Sequence, residues 1–213
     1  MRRTSQSAAS FIPAKRTLPI LQGAAASCTG CDLYKRATQT VFGEGSAHAE
    51  ILFVGEQPGD QEDQAGHPFV GPAGKILDRA LTETRINRKD VYVTNAVKHF
   101  KWEPQGKRRK HKKPSAAEIA ACRPWLEAEV ELLRPKVIIC LGVTAVQSVF
   151  AKSVWLNELR GSPSSTAIAP KVFVTVHPSA ILRRPGPAQR EEEYRKFVED
   201  LRRIKRFLQA EAA

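Results

Sequence analysis

Residues 51–74 read ILFVGEQPGDQEDQAGHPFVGPAG. The run Ile51–Gly55 is apolar, with β-branched and aromatic side chains, and stops at glycine, the pattern of a short buried strand. A long polar loop punctuated by glycine and proline follows, and then a helix-like segment over about 72–85. The alternation returns along the chain. Val91–Thr94, Lys136–Leu141 and Val172–Val176 read as further buried strands, and helix candidates span about 116–133, 143–151 and 189–208. Strands alternating with helices predict an α/β layered fold whose sheet is mostly parallel.

Local signals agree with that order. Ser115-Ala-Ala-Glu118 is a capping box, so the helix over 116–133 should begin directly behind a basic loop. In the closing segment Tyr194, Phe197, Val198, Leu201, Ile204 and Leu208 share one face and charged residues take the other, as in a helix that covers a core. In open α/β sheets ligands gather beyond the carboxyl ends of the strands. The segments there are the glycine-rich stretch, TNAVKHF, LGVTA and HPSAILRRP.

Composition bounds the partners. The chain has 213 residues, 42% of them apolar, which suits one domain with one good core. A net charge of +12 points to an anionic partner, of which nucleic acid is the commonest. No apolar run approaches the roughly 18 residues of a membrane span. Residues 1–25 hold no acid and no clear amphipathic period, so they are expected to form a flexible basic leader before a single domain over 26–210. A cytoplasmic monomer is expected.

Glycines at the density of residues 55–74 let backbone amides approach a ligand closely. The stretch lacks the Lys-Ser/Thr ending of a nucleotide P-loop and the Gly-x-Gly-x-x-Gly of a dinucleotide fold, so both readings fail. Phe69, between Pro68 and Val70, reads either as core or as a stacking platform for a planar base. His177 and Asn95 fall at strand ends, and Glu56 opens the glycine-rich loop. An Asn amide can pair with one edge of a pyrimidine through a donor and an acceptor together.

The densest charge is GKRRKHKKPS, residues 106–115. Six of the eight residues from Lys107 to Pro114 are cationic, and His111 stands among them. Neighbouring cations oppose a further positive charge on the imidazole, and the neutral ring is the form a nucleophile or general base requires.

Four cysteines occur, Cys28, Cys31, Cys122 and Cys140. Nothing suggests a secreted context, so disulfides are disfavoured and metal ligation competes. A Cys-x-x-Cys pair with two remote partners suits zinc or a [4Fe–4S] cluster, and the spacing does not choose between them. Cys140, within Val-Ile-Ile-Cys-Leu, also reads simply as a buried core residue.

These motifs resemble the uracil-DNA glycosylase superfamily in its iron–sulfur branch. Gly55-Glu56, Pro68-Phe-Val-Gly71, Thr94-Asn95, His177-Pro-Ser179 and the four cysteines carry the resemblance, which covers roughly residues 28–207. Glu56-Gln57 and the inserted GKRRKHKKP loop are similar to the narrower X-type enzymes, which remain covalently attached to DNA after a loop histidine attacks the sugar. One departure is Lys110, where the X-type pattern Lys-Arg-Arg-Ile-His has isoleucine, and this puts the packing of the loop in question.

The resemblance implies a three-layer α/β/α fold around a four-stranded parallel sheet, and a [4Fe–4S] cluster on Cys28, Cys31, Cys122 and Cys140. The implied substrate is uracil-containing DNA, single- or double-stranded. Phe69 would stack on the extruded uracil, Asn95 would read its edge, and loop amides near Gln57 and Asp60 would complete the pocket. His177 would steady the departing uracil, and His111 would attack the sugar while Glu56 accepts its proton. Lys107, Arg108, Arg109 and Arg183 would contact DNA, with Ile181-Leu182-Arg183 wedged into the gap left by the base. Two alternatives stand beside this: a turnover glycosylase that uses water, and a non-catalytic nucleic-acid-binding module.

Overall fold

The structure is a computed structural model and describes residues 7–151, 159–161, 163–169 and 171–211. In chain order its elements are α1 (Leu18–Ala25), β1 (Glu44–Gly45), β2 (Ile51–Gly55), α2 (Asp60–Ala65), α3 (Pro72–Glu83) and β3 (Val91–Asn95). Then come the hairpin strands β4 (Trp102–Gln105) and β5 (Arg108–His111), followed by α4 (Ala116–Leu133), β6 (Val137–Leu141) and α5 (Val143–Phe150). β7 (Val172–Thr175), α6 (Pro178–Leu182) and α7 (Pro187–Glu211) close the chain.

The main sheet has the order β1-β3-β2-β6-β7. β3, β2, β6 and β7 pair in parallel, which is the expected four-stranded sheet. The two-residue β1 adds an antiparallel edge on β3, too short to leave a period in the sequence. Successive strand residues point to opposite faces. Ile51, Phe53, Val93, Ile139 and Phe173 pack with side chains of α3, α6 and α7, whereas Leu52, Val54, Ile138, Cys140 and Val174 pack with those of α4 and α5. Three layers result. Phe53 is fully buried between them, and its truncation to alanine is expected to cost about 3–5 kcal/mol.

The capping box forms as read. Ser115 Oγ accepts the Glu118 N–H at 3.3 Å, and Glu118 Oε2 accepts the Ser115 N–H at 2.6 Å. Lys101 Nζ holds the same carboxylate oxygen at 2.8 Å, tying the start of α4 to the segment before the hairpin.

The expected flexible leader needs correction. From Ala8 onward the segment packs on α4, with Leu21 and Ala25 fully buried, and Thr17 caps α1 by accepting the Ile20 N–H. Its backbone comes so close to Gly30 that a Cβ there would lie 2.7 Å from Ala8 N. Residues 1–6 lie outside the described residues. Among the described residues no helix is long and apolar enough to cross a membrane.

Candidate active site

The carboxyl ends of the parallel strands open into a cleft of about 930 Å³, lined among others by Glu56, Phe69, Asn95, His111, Thr144 and His177. Residues from four separate loops therefore meet as the layered reading expected.

The basic loop is a hairpin. β4 and β5 pair antiparallel with Trp102 opposite His111 and Glu103 opposite Lys110, and Gly106 takes the left-handed conformation in the turn, at φ 58°. Strand alternation puts Arg109 and His111 on one face and Lys110 on the other. Lys110 is exposed across from Glu103, so its departure from the X-type pattern does not touch the histidine ring.

Two side chains hold this hairpin over the cleft. Gln57 donates from Nε2 to the carbonyls of Lys101 (3.2 Å) and Lys112 (3.1 Å), and its Oε1 accepts the Lys101 N–H at 3.0 Å. Arg109 donates to Asp60 Oδ1 at 2.5 Å, Asp63 Oδ2 at 2.6 Å and Thr38 Oγ1 at 3.0 Å, with its guanidinium over the Phe100 and Trp102 rings. One expectation changes as a result. Arg109 spends its donors on carboxylates inside the protein and is not free for phosphate. The Gln57 and Asp60 side chains anchor the hairpin, which leaves only their backbone to a ligand. Lys107 and Arg108 stay exposed at the turn, while Lys112 pairs with Glu103 at 2.8 Å. The cationic surroundings expected for His111 are thus interleaved with acids.

The acid nearest the ring is Glu56, whose Oε1 lies 3.1 Å from His111 Nε2. Its other oxygen accepts the Thr144 hydroxyl at 2.5 Å. Burial would raise the Glu56 pKa, but the hydrogen bonds from His111 and Thr144 outweigh it and hold the carboxyl below its ordinary range.

His177 caps α6, its Nδ1 accepting the Ser179 N–H at 3.1 Å. An acceptor at Nδ1 fixes the neutral tautomer with its hydrogen on Nε2. Burial pushes the pKa down to about 4, against the opposing pull of Glu56, so the ring is an uncharged donor at neutral pH. Arg183 is parked on this motif, donating to Ser179 Oγ at 3.0 Å. Of the expected wedge, Ile181 is core and Leu182 is exposed at the cleft.

Phe69 is 8% exposed and stacks on His177, with centroids 6.3 Å apart and planes 27° apart. It adopts φ 58°, a strained value for an aromatic residue. Glycines make room for it: a Cβ at Gly74 would lie 1.6 Å from Phe69 O, and one at Gly55 would lie 2.3 Å from Asn95 Oδ1 and 2.8 Å from Phe69 Cζ. The Asn95 side chain lines the cleft without a protein hydrogen-bond partner among the described residues.

Its strand end rests on a buried ion pair the sequence did not reveal. Lys98 Nζ donates to Glu129 Oε2 at 2.6 Å, to Asn95 O at 3.0 Å and to Thr94 Oγ1. Glu129 also accepts from Tyr92 OH at 3.1 Å and from the Gly43 N–H at 3.2 Å. Both charges are essentially inaccessible, at 1% and 0% exposure, and every donor or acceptor is matched.

The cysteines divide. Cys28, Cys31 and Cys122 share one apolar cluster beneath the N-terminal segment. Trp125 Nε1 donates to Cys28 Sγ and the Lys98 N–H to Cys122 Sγ, each at 3.3 Å, and Cys31 takes a backbone bond from Leu33. Burial, with repulsion from Cys31 and Cys28 and relief from Lys98, pushes the Cys122 thiol up to about 12. Cys140 lies elsewhere, between β6 and the α4/α5 layer, where burial alone raises its pKa. Cys140 therefore drops out of the expected four-cysteine set and takes its core reading. Among the described residues no three His, Cys, Asp or Glu side chains are gathered to hold a single metal ion.

His99, overlooked in the sequence, directly follows Lys98, whose N–H meets Cys122 Sγ. It is 5% exposed, and burial lowers its pKa to about 4. Its Nε2 meets Thr40 Oγ1 at 2.8 Å, and that hydroxyl donates to Ala25 O, the carbonyl that also accepts the Cys28 N–H.

The sequence profile of the uracil DNA glycosylase superfamily matches residues 42–202. The chain belongs to this superfamily. It is 41% identical over 186 residues to the type-4 uracil-DNA glycosylase of Thermotoga maritima, covering 86% of this chain and 91% of that one. The type-4 glycosylase of Archaeoglobus fulgidus is 39% identical over 175 residues, 79% of this chain and 83% of its own. A type-5 glycosylase of Pyrobaculum aerophilum is more distant, 26% identical over 153 residues and 64% of each chain. The match spans the strand ends that carry Glu56, Asn95 and His177, so the glycosylase fold and the cleft described above coincide.

Proposed function

We propose that this protein excises uracil from DNA and, through His111, stays bonded to the sugar that uracil leaves. The observation that carries the reading is the 3.1 Å approach of His111 to Glu56 in the cleft that also holds Asn95 and His177. A base stacked in a duplex is out of reach, so the nucleotide is extruded or taken from a single strand. Phe69 offers a face for the base, and the unengaged Asn95 amide matches the O4 and N3–H edge of uracil. Cytosine presents the reverse pattern and would leave buried polar groups unpaired.

As the bond between C1′ and the base breaks, its electron pair leaves with uracil. The His177 Nε2–H can donate to uracil O2 as negative charge grows there. The lone pair of the imidazole nitrogen not held by Glu56 forms a new bond to C1′, and the ring becomes a cation whose N–H is held by the Glu56 carboxylate. Lys107 and Arg108, exposed at the hairpin turn, suit phosphate contacts. Incubation with a uracil-containing oligonucleotide should give a band that survives boiling in detergent and is absent in His111→Ala. Free abasic DNA over many turnovers would overturn the reading.

The resemblance to iron–sulfur glycosylases also supports a [4Fe–4S] cluster on Cys28, Cys31 and Cys122, and we propose His99 as its fourth ligand. The donor chemistry fits: thiols that each accept an N–H, and an imidazole held neutral by burial one residue after the Lys98 N–H that meets Cys122. When bound, the cluster would tie the N-terminal segment to α4 and to the strand end bearing Asn95.

A further inference from the structure

We infer that Thr144 is a positioning residue for the Glu56–His111 pair, fixing through its hydroxyl which carboxylate oxygen faces the imidazole. The inference rests on the reading of His111 as the group that captures the sugar. Glu56 has two oxygens, and each has one partner: Oε1 faces His111 Nε2 at 3.1 Å, and Oε2 accepts from Thr144 Oγ1 at 2.5 Å. The terminal torsion of a glutamate is broad. With one partner alone the carboxylate could turn, and its separation from the ring would vary. His111 needs such a restraint, because its side chain is 50% exposed and its ring packs only loosely on Phe100, tilted with centroids 6.1 Å apart.

The local structure explains why a threonine can do this. Thr144 is 1% exposed and sits in the first turn of α5. A mid-helix threonine can spend its hydroxyl on the carbonyl four residues back. Four residues before Thr144 is Cys140 on β6, outside the helix, so the hydroxyl is free to reach across to Glu56. The β-branched side chain is stiff about χ1, which fixes the donor's direction. The amino end of α5 also favours a carboxylate. Gly142 starts that turn at φ 86°, where a Cβ would meet His177 Cβ at 3.1 Å. One tight turn thus supports Glu56 while letting His177 pass beside it.

The comparison that tests this is Thr144→Val, which keeps the shape and loses the hydroxyl, against Thr144→Ser, which restores it. The readout is the fraction of excision events that end in the boil-resistant adduct rather than in free abasic DNA. Partial unfolding would lower both products together and leave that fraction unchanged. Thr144→Val should lower the fraction about tenfold, the size of one hydrogen bond to a charged group. It should also move the acid limb of uracil release upward in pH, and Thr144→Ser should restore both. In a Glu56→Gln background Thr144→Val should add nothing. A wild-type fraction in Thr144→Val, or an equal loss in Thr144→Ser, overturns the inference. Should the wild type give only free abasic DNA, the histidine reading falls. The Thr144 inference is then judged by the acid limb alone, which Thr144→Val must shift and Thr144→Ser must restore.

Discussion

Arg109 Nη1 donates to Asp63 Oδ2 at 2.6 Å, joining the hairpin that carries His111 to a fully buried carboxylate on α2. Removing the guanidinium leaves Asp63 uncompensated. Arg109→Ala should therefore destabilise the protein by about 3 kcal/mol in thermal or denaturant unfolding. Adduct formation should fall further than stability alone explains, because the hairpin loses its aim. Arg109→Lys cannot reproduce the forked contact to two aspartates and should recover little of either.

The Lys98–Glu129 pair offers a sharper stability test. Lys98→Met alone strands Glu129 at 0% exposure and should cost about 3–5 kcal/mol. Lys98→Met combined with Glu129→Leu should be less destabilised than the single variant, which chemical denaturation can resolve. A double variant as unstable as the sum of the singles would contradict this account.

Acid should weaken the protein through His177. Its folded pKa, about 4, lies below the ordinary histidine value, so the unfolded chain takes up a proton first as pH falls. The stabilisation is complete above about pH 6.5 and is lost as pH falls towards the folded value. His177→Gln should flatten the dependence of Tm on pH in that window. Protonation at Nδ1 also sacrifices the bond from the Ser179 N–H that caps α6.

Iron content separates the cysteines. Cys122→Ala and His99→Ala should lower iron per chain and the visible absorbance of anaerobically purified protein. Cys140→Ala should leave both unchanged and cost only the packing of one small side chain. Loss of iron in Cys140→Ala would restore the four-cysteine set.

DNA affinity should distinguish the hairpin's cations. Lys107→Ala with Arg108→Ala should reduce the salt dependence of binding by roughly two counterions. Arg109, already bound to Asp60 and Asp63, should contribute little to that slope.

Much of this architecture was legible in the chain, for definite reasons. The four parallel strands are uninterrupted apolar runs, and Ser115-Ala-Ala-Glu118 announces α4 at the residue where it begins. Glu56, Asn95 and His177 stand out in the sequence because they sit at strand ends, and all three line the cleft. The hairpin left no such trace. Trp-Glu-Pro-Gln and Arg-Arg-Lys-His have no apolar face, and their order comes from Gln57 and Arg109 reaching partners more than 40 positions away. α1 was missed because LPILQGAA is nearly apolar all round and shows no helical stripe. Cys140 had two readings in sequence. Strand alternation settles it, since its neighbours Ile139 and Leu141 face the opposite layer. Thr144 lies within LGVTA, a segment expected at the strand ends, but nothing in the sequence singles it out there, because its importance depends on which loop faces it.

Gln57 bonds to the backbone at both feet of the hairpin, Lys101 and Lys112. The segment is therefore a cassette whose lock lies outside it, forty-odd residues upstream. Grafting residues 101–112 alone into a homologous scaffold should give a dangling, inactive arm, and transplantable capture chemistry would have to travel with its glutamine.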